Sequence, residues 1–256
     1  MSEQKKNAPF LNRFLGRDYT RVSFDSLQIS TSTIDCRIGE HCNVNYEEFF
    51  RRLRLDPRMT KDIRQPAGEF FGARFGDESK GNPPTKATKA IKNATMLWLW
   101  LKDKYVNVKL SRNNIHVTGC KKAEHAAEAA RYIQMWLRWL SNEASQLYEE
   151  EPVITGFAAH LINYNFTLDV ALDLEEFDHF QHEYWSHRVF SPYDKNISPT
   201  NTSIRCPEYQ LAFNINDNGK VSMCVSHENF DTAHLNVCLG YMMFYEMLAA
   251  FTASRM

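Results

Sequence analysis

Two spacings of apolar residues take turns along the chain. Over 22–38, VSFDSLQISTSTIDCRI, β-branched residues and an alternation around Leu27, Ile29, Thr31 and Thr33 carry the two-residue period of a long strand. Over 45–55 the period changes: Phe49, Phe50 and Leu53 share one side, behind an Asn45 cap, with acids in the first turn and arginines in the last. That is a short helix whose dipole is complemented at both ends. Residues 56–92 lose all period; four prolines, Pro57, Pro66, Pro83 and Pro84, together with glycines and alternating charge, read as an extended loop or insertion. Strand-like segments return at 94–100, 105–110 and 115–119, joined by turns at Lys102-Asp103-Lys104 and Asn113-Asn114, which predicts a three-stranded meander. Ala126, Ala129, Ala130, Ile133, Trp136, Leu137 and Leu140 then recur at helical spacing through a long amphipathic helix over 121–144.

The same order of elements returns. A strand over 153–172 is followed by a short helix over 174–185 with Phe177, Phe180 and Tyr184 on one side. A Pro- and Asn-rich loop (191–202) leads to strands at 209–214 and 220–225 about an Asp217-Asn218-Gly219 turn, and a last long helix spans 228–251. The expected architecture is α/β (α+β): two tandem pseudo-symmetric repeats forming a curved antiparallel saddle sheet, covered on its convex side by the two long helices. The domain reading is a flexible arm at 1–17, a first repeat at 18–146 carrying the 56–92 insertion, and a second repeat at 147–256.

Charge sharpens this picture. The net charge of the 256 residues is −1, yet residues 1–140 carry +10 and 141–256 carry −11. A basic half suits a surface that meets phosphates; an acidic half repels them unless its charges lie on another face. Six cysteines, Cys36, Cys42, Cys120, Cys206, Cys224 and Cys238, are scattered without a C-x-x-C pair or zinc spacing, so they read as thiols in a reducing compartment. The first thirty residues lack the apolar stretch of a signal peptide, and no apolar run reaches the roughly 20 residues of a membrane span, so an intracellular location without a membrane partner is expected.

The segment VNVKLSRNNIHVTGCKK (106–122) resembles the strand-turn-strand signature of the TATA-binding-protein superfamily, its VTGCK end most of all. QISTSTI (28–34), KAIKNAT (89–95) and LINYNF (161–166) are similar to segments of divergent TATA-binding-protein-like proteins of large DNA viruses. The resemblance covers roughly 20–252 and implies a transcription initiation factor that binds promoter DNA. Its saddle would sit on an A·T-rich minor groove of double-stranded DNA, bending it with apolar wedges, with transcription factor B-type protein and RNA polymerase as partners. Carried over by position, Leu110 and Phe213 stand at wedge sites, Met96 at a third, and Asn163 at the central minor-groove asparagine; repeat one has Ile29-Ser30-Thr31 there instead. Lys102, Lys104, Lys109 and Arg112 would supply phosphate contacts. A host nucleus, or a cytoplasmic viral factory, is the location implied. The alternative is a saddle-fold scaffold that binds transcription-complex proteins without sequence-specific DNA binding.

Enzymatic signatures are absent: no G-x-S-x-G elbow, dinucleotide fingerprint or kinase motif occurs. His179-x-x-His182, with Asp178, Glu183 and His187 nearby, is the strongest metal-like cluster but is not H-E-x-x-H. In 68–81 the glycines are not followed by Lys-Ser/Thr, so this is no phosphate-cradling loop; its interleaved Phe and Arg suit a floppy insertion or a contact to nucleic acid or protein. The chain is expected to have neither catalysis, cofactor nor metal.

Overall fold

The computed structural model describes residues 28–63, 65–84, 93–143, 146–168, 172–227 and 229–255. The expected arm at 1–17, the predicted strand before Gln28 and the loop at 85–92 lie outside them. The elements run β1 (Gln28–Ile38), α1 (Tyr46–Arg52), β2 (Phe70–Phe75), β3 (Glu78–Gly81), β4 (Thr95–Trp100), β5 (Tyr105–Ser111), β6 (Asn114–Cys120), α2 (Ala123–Glu143), β7 (Ile154–Thr167), α3 (Leu174–Tyr184), β8 (Asn201–Cys206), β9 (Leu211–Asn216), β10 (Lys220–Val225) and α4 (Phe230–Ser254). Two compact units result. The amino-terminal unit is Thr31–His160; the carboxyl-terminal unit runs from Leu161 and includes the described residues 28–30, so the division falls inside β1 and inside β7.

In the amino-terminal unit the antiparallel strand order is β3-β2-β4-β5-β6-β1. Register lines up Ile34, Val117, Val108, Leu97 and Ala73 across five strands, with Cys36, Ile115, Leu110 and Thr95 in the next row, all buried. Helices cover this face. Phe70 meets Trp136 of α2 at 5.1 Å between ring centroids, and the Thr95 hydroxyl donates to the Tyr46 carbonyl of α1 at 2.9 Å. Asn45 caps α1 as expected, its side chain accepting from the Glu48 N–H.

The segment at 68–81, expected as loop, is instead the β2–β3 hairpin laid against β4. Phe70, Phe71 and Ala73 are buried there, and Gly72 marks a close approach: a Cβ on it would lie 2.7 Å from the backbone nitrogen of Pro83. Lys80 of β3 reaches back to α1, its ammonium donating to the carbonyls of Phe50 (2.9 Å), Arg51 (2.6 Å) and Leu53 (3.0 Å). Carbonyls of a last helical turn are commonly short of N–H partners, and of these three Phe50 also accepts from the Leu53 N–H at 3.2 Å. Burial lowers the Lys80 pKa, yet the three carbonyls hold the charged form in place. Lys80→Met should therefore cost about 1–2 kcal/mol in urea unfolding; no change would mean that water replaces the ammonium at no cost.

The carboxyl-terminal unit has the order β7-β10-β9-β8. Strand β8 begins at the end of the expected loop at 191–202; Ile204 and Cys206 are buried against β9. By length and composition α4 could cross a membrane, unlike the expectation from runs of apolar residues. Its Ala233, Val237, Tyr241, Phe244, Met247 and Phe251 recur at helical spacing and are buried. Phe213 of β9 stacks on Phe244 at 4.9 Å, Phe166 of β7 meets Tyr241 at 4.8 Å, and α3 adds Phe177 against Phe251 at 5.1 Å.

Candidate nucleic-acid interface

Pleating sends alternate side chains to the sheet face that carries no helix. In the amino-terminal unit that open face holds two cross-strand rows. One runs Asp35, His116, Lys109, Met96 and Arg74 from β1 to β2; the other runs Thr33, Thr118, Asn107 and Trp98. Met96, Trp98, Asn107 and Lys109 are half-buried, neither core nor freely solvated. Asp35 is the single acidic side chain on this open face among the described strand residues, and it is engaged: its carboxylate contacts His116 Nδ1, and its second oxygen lies 3.7 Å from His160 Nδ1. The two imidazoles stand edge to face at 5.6 Å.

In the carboxyl-terminal unit the open rows are Asn163, Cys224, Ala212 and Arg205, then Asn165, Ser222, Asn214 and Ser203. No aspartate or glutamate occurs in any of its strands β7 to β10. Every described acid from Leu161 onward lies on α3, α4 or a connection. Several are paired: Glu175 with Lys195 and Glu176 with Arg255, each at 2.7 Å, and Glu208 with Arg188 at 2.9 Å. The described acids of the second half thus stand away from its open face, which offers amides, hydroxyls, Arg205 and Lys220. A cleft of about 480 Å³ lies among Asn165, Thr167, Asn216, Lys220 and Ser222.

Three of the expected contact residues fall on these faces. Met96 and Lys109 are neighbours on β4 and β5, and Asn163 sits opposite Cys224 with its backbone carbonyl accepting from Ser30 Oγ at 3.2 Å. Arg112 is exposed in the β5–β6 turn, which is Arg112-Asn113 instead of Asn113-Asn114. Its φ of 50° is left-handed, a conformation a two-residue hairpin demands and an arginine adopts at some cost.

Four of the expected contact residues lie off the open rows, and for Leu110 and Phe213 burial overturns the wedge role. Leu110 and Phe213 are both 0% exposed. Leu110 belongs to the row Cys36, Ile115, Thr95, and Phe213 is stacked on Phe244, so neither can enter a base step without dismantling its core. The pleat decides this: one residue along, Lys109 and Asn214 are the side chains that face out. Lys102 and Lys104 stand at the β4–β5 turn, which is fastened to α2, away from the open rows. The Lys102 backbone N–H donates to Glu128 Oε1 at 3.3 Å, and Asp103 accepts from His125 Nε2 at 3.1 Å while His125 Nδ1 accepts the Lys121 N–H at 3.1 Å. Burial, followed by repulsion from Lys121, lowers the Lys104 pKa.

Trp98, Arg74, Asn107, Asn165, Ser222 and Asn214 are open-face residues that sequence reasoning missed. The Leu-Trp-Leu-Trp alternation showed that Leu97 and Trp98 face opposite ways but not which way faces the helices. Trp100, of the same parity as Trp98, is buried because it packs on Phe71 and Tyr105 at 6.0 and 5.6 Å. None of the six thiols suits nucleophilic chemistry, since burial raises all of them, Cys36 and Cys120 to about 12 and Cys238 to about 11. His182 is turned back onto the Asp178 carbonyl at 3.0 Å, and among the described residues no three metal-ligating side chains converge.

Among solved structures the chain is similar to Methanococcus jannaschii TBP, with a TM-score of 0.50 and 15% sequence identity over 86% of this chain and 99% of that one. The fold is TBP-like. No family model and no curated protein matches the sequence.

Proposed function

We propose that this chain is a TATA-binding-protein-like transcription initiation factor whose open sheet faces bind double-stranded, A·T-rich promoter DNA through the minor groove. The observation that carries the reading is the charge layout. Among the described residues the strand faces without helices bear amides, hydroxyls and cations, the one acid on them is held between two histidines, and the acids of the second half stand on helices and connections. A polyanion meets no repulsive row on either face. Asn163, Asn165, Asn214, Ser222 and Asn107 offer neutral donors matched to the purine N3 and pyrimidine O2 acceptors of the minor groove, where shape and deformability carry more information than hydrogen bonds.

In this reading the two units are tandem repeats of a saddle, with α2 and α4 on its convex side. Met96 and Trp98 take the wedge role, while Lys109, Arg112, Arg205 and Lys220 reach phosphates. The protein acts without catalysis, cofactor or metal, by offsetting the cost of bending DNA with contact energy. Transcription factor B-type protein and RNA polymerase are the partners the reading carries, inside a cell, and a large DNA virus is the kind of source the sequence resemblance suggests.

Fluorescence anisotropy of an A·T-rich and a G·C-rich duplex at two salt concentrations tests this. Tighter, salt-sensitive binding of the A·T-rich duplex is expected, and the Lys109→Ala/Arg112→Ala double variant should lower the slope of log K against log salt by about 1.8, roughly 0.9 per lost phosphate contact. An unchanged slope would remove both residues from the interface.

A second reading is supported by one observation: the carboxyl-terminal open face holds no large apolar side chain in its two central rows, so a wedge is missing there. A scaffold that binds transcription-complex proteins through the same fold would show no salt-dependent duplex binding and a stable protein complex in pull-down.

A further inference from the structure

On the outer side of α2, away from the open sheet face, lies a groove of about 300 Å³ lined by Gly68, Glu69, Tyr132, Met135, Trp136 and Trp139. Tyr132, Met135, Trp136 and Trp139 share one helix side by their three- and four-residue spacing. We propose that this groove is a binding site for an alkylammonium group, the lysine side chain of a partner protein, in methylated or unmodified form.

The groove is built, not a chance gap between side chains. Trp136 Nε1 donates to the Gly68 carbonyl at 2.8 Å, which fixes one ring; Trp139 stands edge-on to Trp136 at 4.9 Å. The Tyr132 ring lies on Gly68, where a Cβ would come within 2.7 Å of it, and Gly68 has a φ of +96° that favours glycine. The Gly68 N–H is anchored in turn on the Trp100 carbonyl at 2.8 Å. Two of the three rings are therefore held before any ligand arrives, while Trp139 and Met135 stay 51% and 54% exposed.

The chemistry of the lining selects the occupant. Ring faces attract a cation through their quadrupole, the Met135 thioether and ring edges suit an alkyl stem, and Glu69, half-buried, is an acidic residue of the lining with no ion-pair partner among the described residues. Among the described residues Arg138 pairs with Glu151 at 2.5 Å, and the Arg131 guanidinium lies 5.2 Å from the Tyr132 centroid, so the Tyr132 face is already taken and the indoles of Trp136 and Trp139 are the rings left for an incoming cation. An anionic or purely apolar ligand would leave Glu69 unpaired beside it.

The test titrates the full chain with N-acetyl-trimethyl-lysine amide, N-acetyl-lysine amide and the neutral tert-butyl isostere of the former, read by the indole N–H resonances of Trp136 and Trp139. The trimethyl form should bind about tenfold more tightly than the isostere, with Glu69→Gln weakening it and Trp139→Ala abolishing it. Trp139 is half exposed, so its loss should leave the melting temperature nearly unchanged, which separates lost binding from lost fold. Equal binding of both lysine forms also supports the site and assigns it to the unmodified side chain. Equal binding of the isostere, preference for a proline-rich peptide, or no shift of either indole at millimolar ligand would overturn it. DNA affinity does not enter these readouts, so the groove stands or falls separately from the open faces.

Discussion

Replacing Phe213 by alanine is expected to cost about 3–5 kcal/mol of stability, the price of a buried aromatic ring in a core that cannot collapse around the void. Phe213 is 0% exposed, stacked on Phe244 at 4.9 Å and flanked on its strand neighbours by Met223 and Ile204. Affinity for an A·T-rich duplex, corrected for the folded fraction, should stay within about twofold of the parent, a difference under 0.5 kcal/mol. Urea unfolding followed by circular dichroism, beside anisotropy under conditions where the variant is folded, separates the two effects. A stable variant with strongly reduced affinity would instead return Phe213 to the DNA contact. Leu110→Ala should behave the same way for the same reason, since Leu110 is equally buried between Thr95 and Ile115.

The opposite behaviour is expected of Met96→Ala/Trp98→Ala. Both side chains project from β4 on the open face, beside Lys109 and Asn107, and are half-buried. If they contact unstacked bases, their joint loss should weaken duplex binding by about 1–3 kcal/mol, or roughly 5- to 150-fold. Because these residues lie outside the core rows, the melting temperature should fall much less than in Phe213→Ala. A bent duplex labelled at both ends for energy transfer adds a second readout: wedge residues hold the kink, so the variant complex should show a longer end-to-end distance. Unchanged affinity and unchanged bending would leave the amides and cations as the contact surface and strip β4 of its role.

These two predictions are opposed although the four residues looked alike in sequence. Leu110 and Met96 are both apolar residues in strongly alternating strands, each one residue from a strand end, and alignment to a family signature shifts easily by one position. In a strand one position is the difference between core and surface. Burial supplies the missing information, because it identifies the face on which α1, α2 and α4 lie.

Much else was legible. The Asn45 cap with acids first and basics last placed α1 within a few residues, and the seven-residue apolar stripe placed α2. The β4, β5, β6 meander followed from alternation and tight turns, and the order of elements in the two halves was readable from period changes alone. Each of these is a local property, set by φ/ψ preference, capping and the spacing of apolar residues over ten to twenty positions. What escaped was long-range. Phe70 to Gly81 looks like a glycine-rich linker until β4 supplies its hydrogen-bonding partner and Pro83 its close contact. The Trp139 groove needs Gly68 and Glu69, more than sixty residues upstream, to become a site.

Charge shows the same division. Composition alone established that the first half is basic and the second acidic, and that both signs are too abundant to ignore. Only tertiary structure decided that the described acids from Leu161 onward stand on α3, α4 and the connections while β7 to β10 carry none on their open rows. A charge count is additive along the chain and needs no coordinates. Which charges share a face depends on strand register and on which side the helices pack, and those are settled when the core closes.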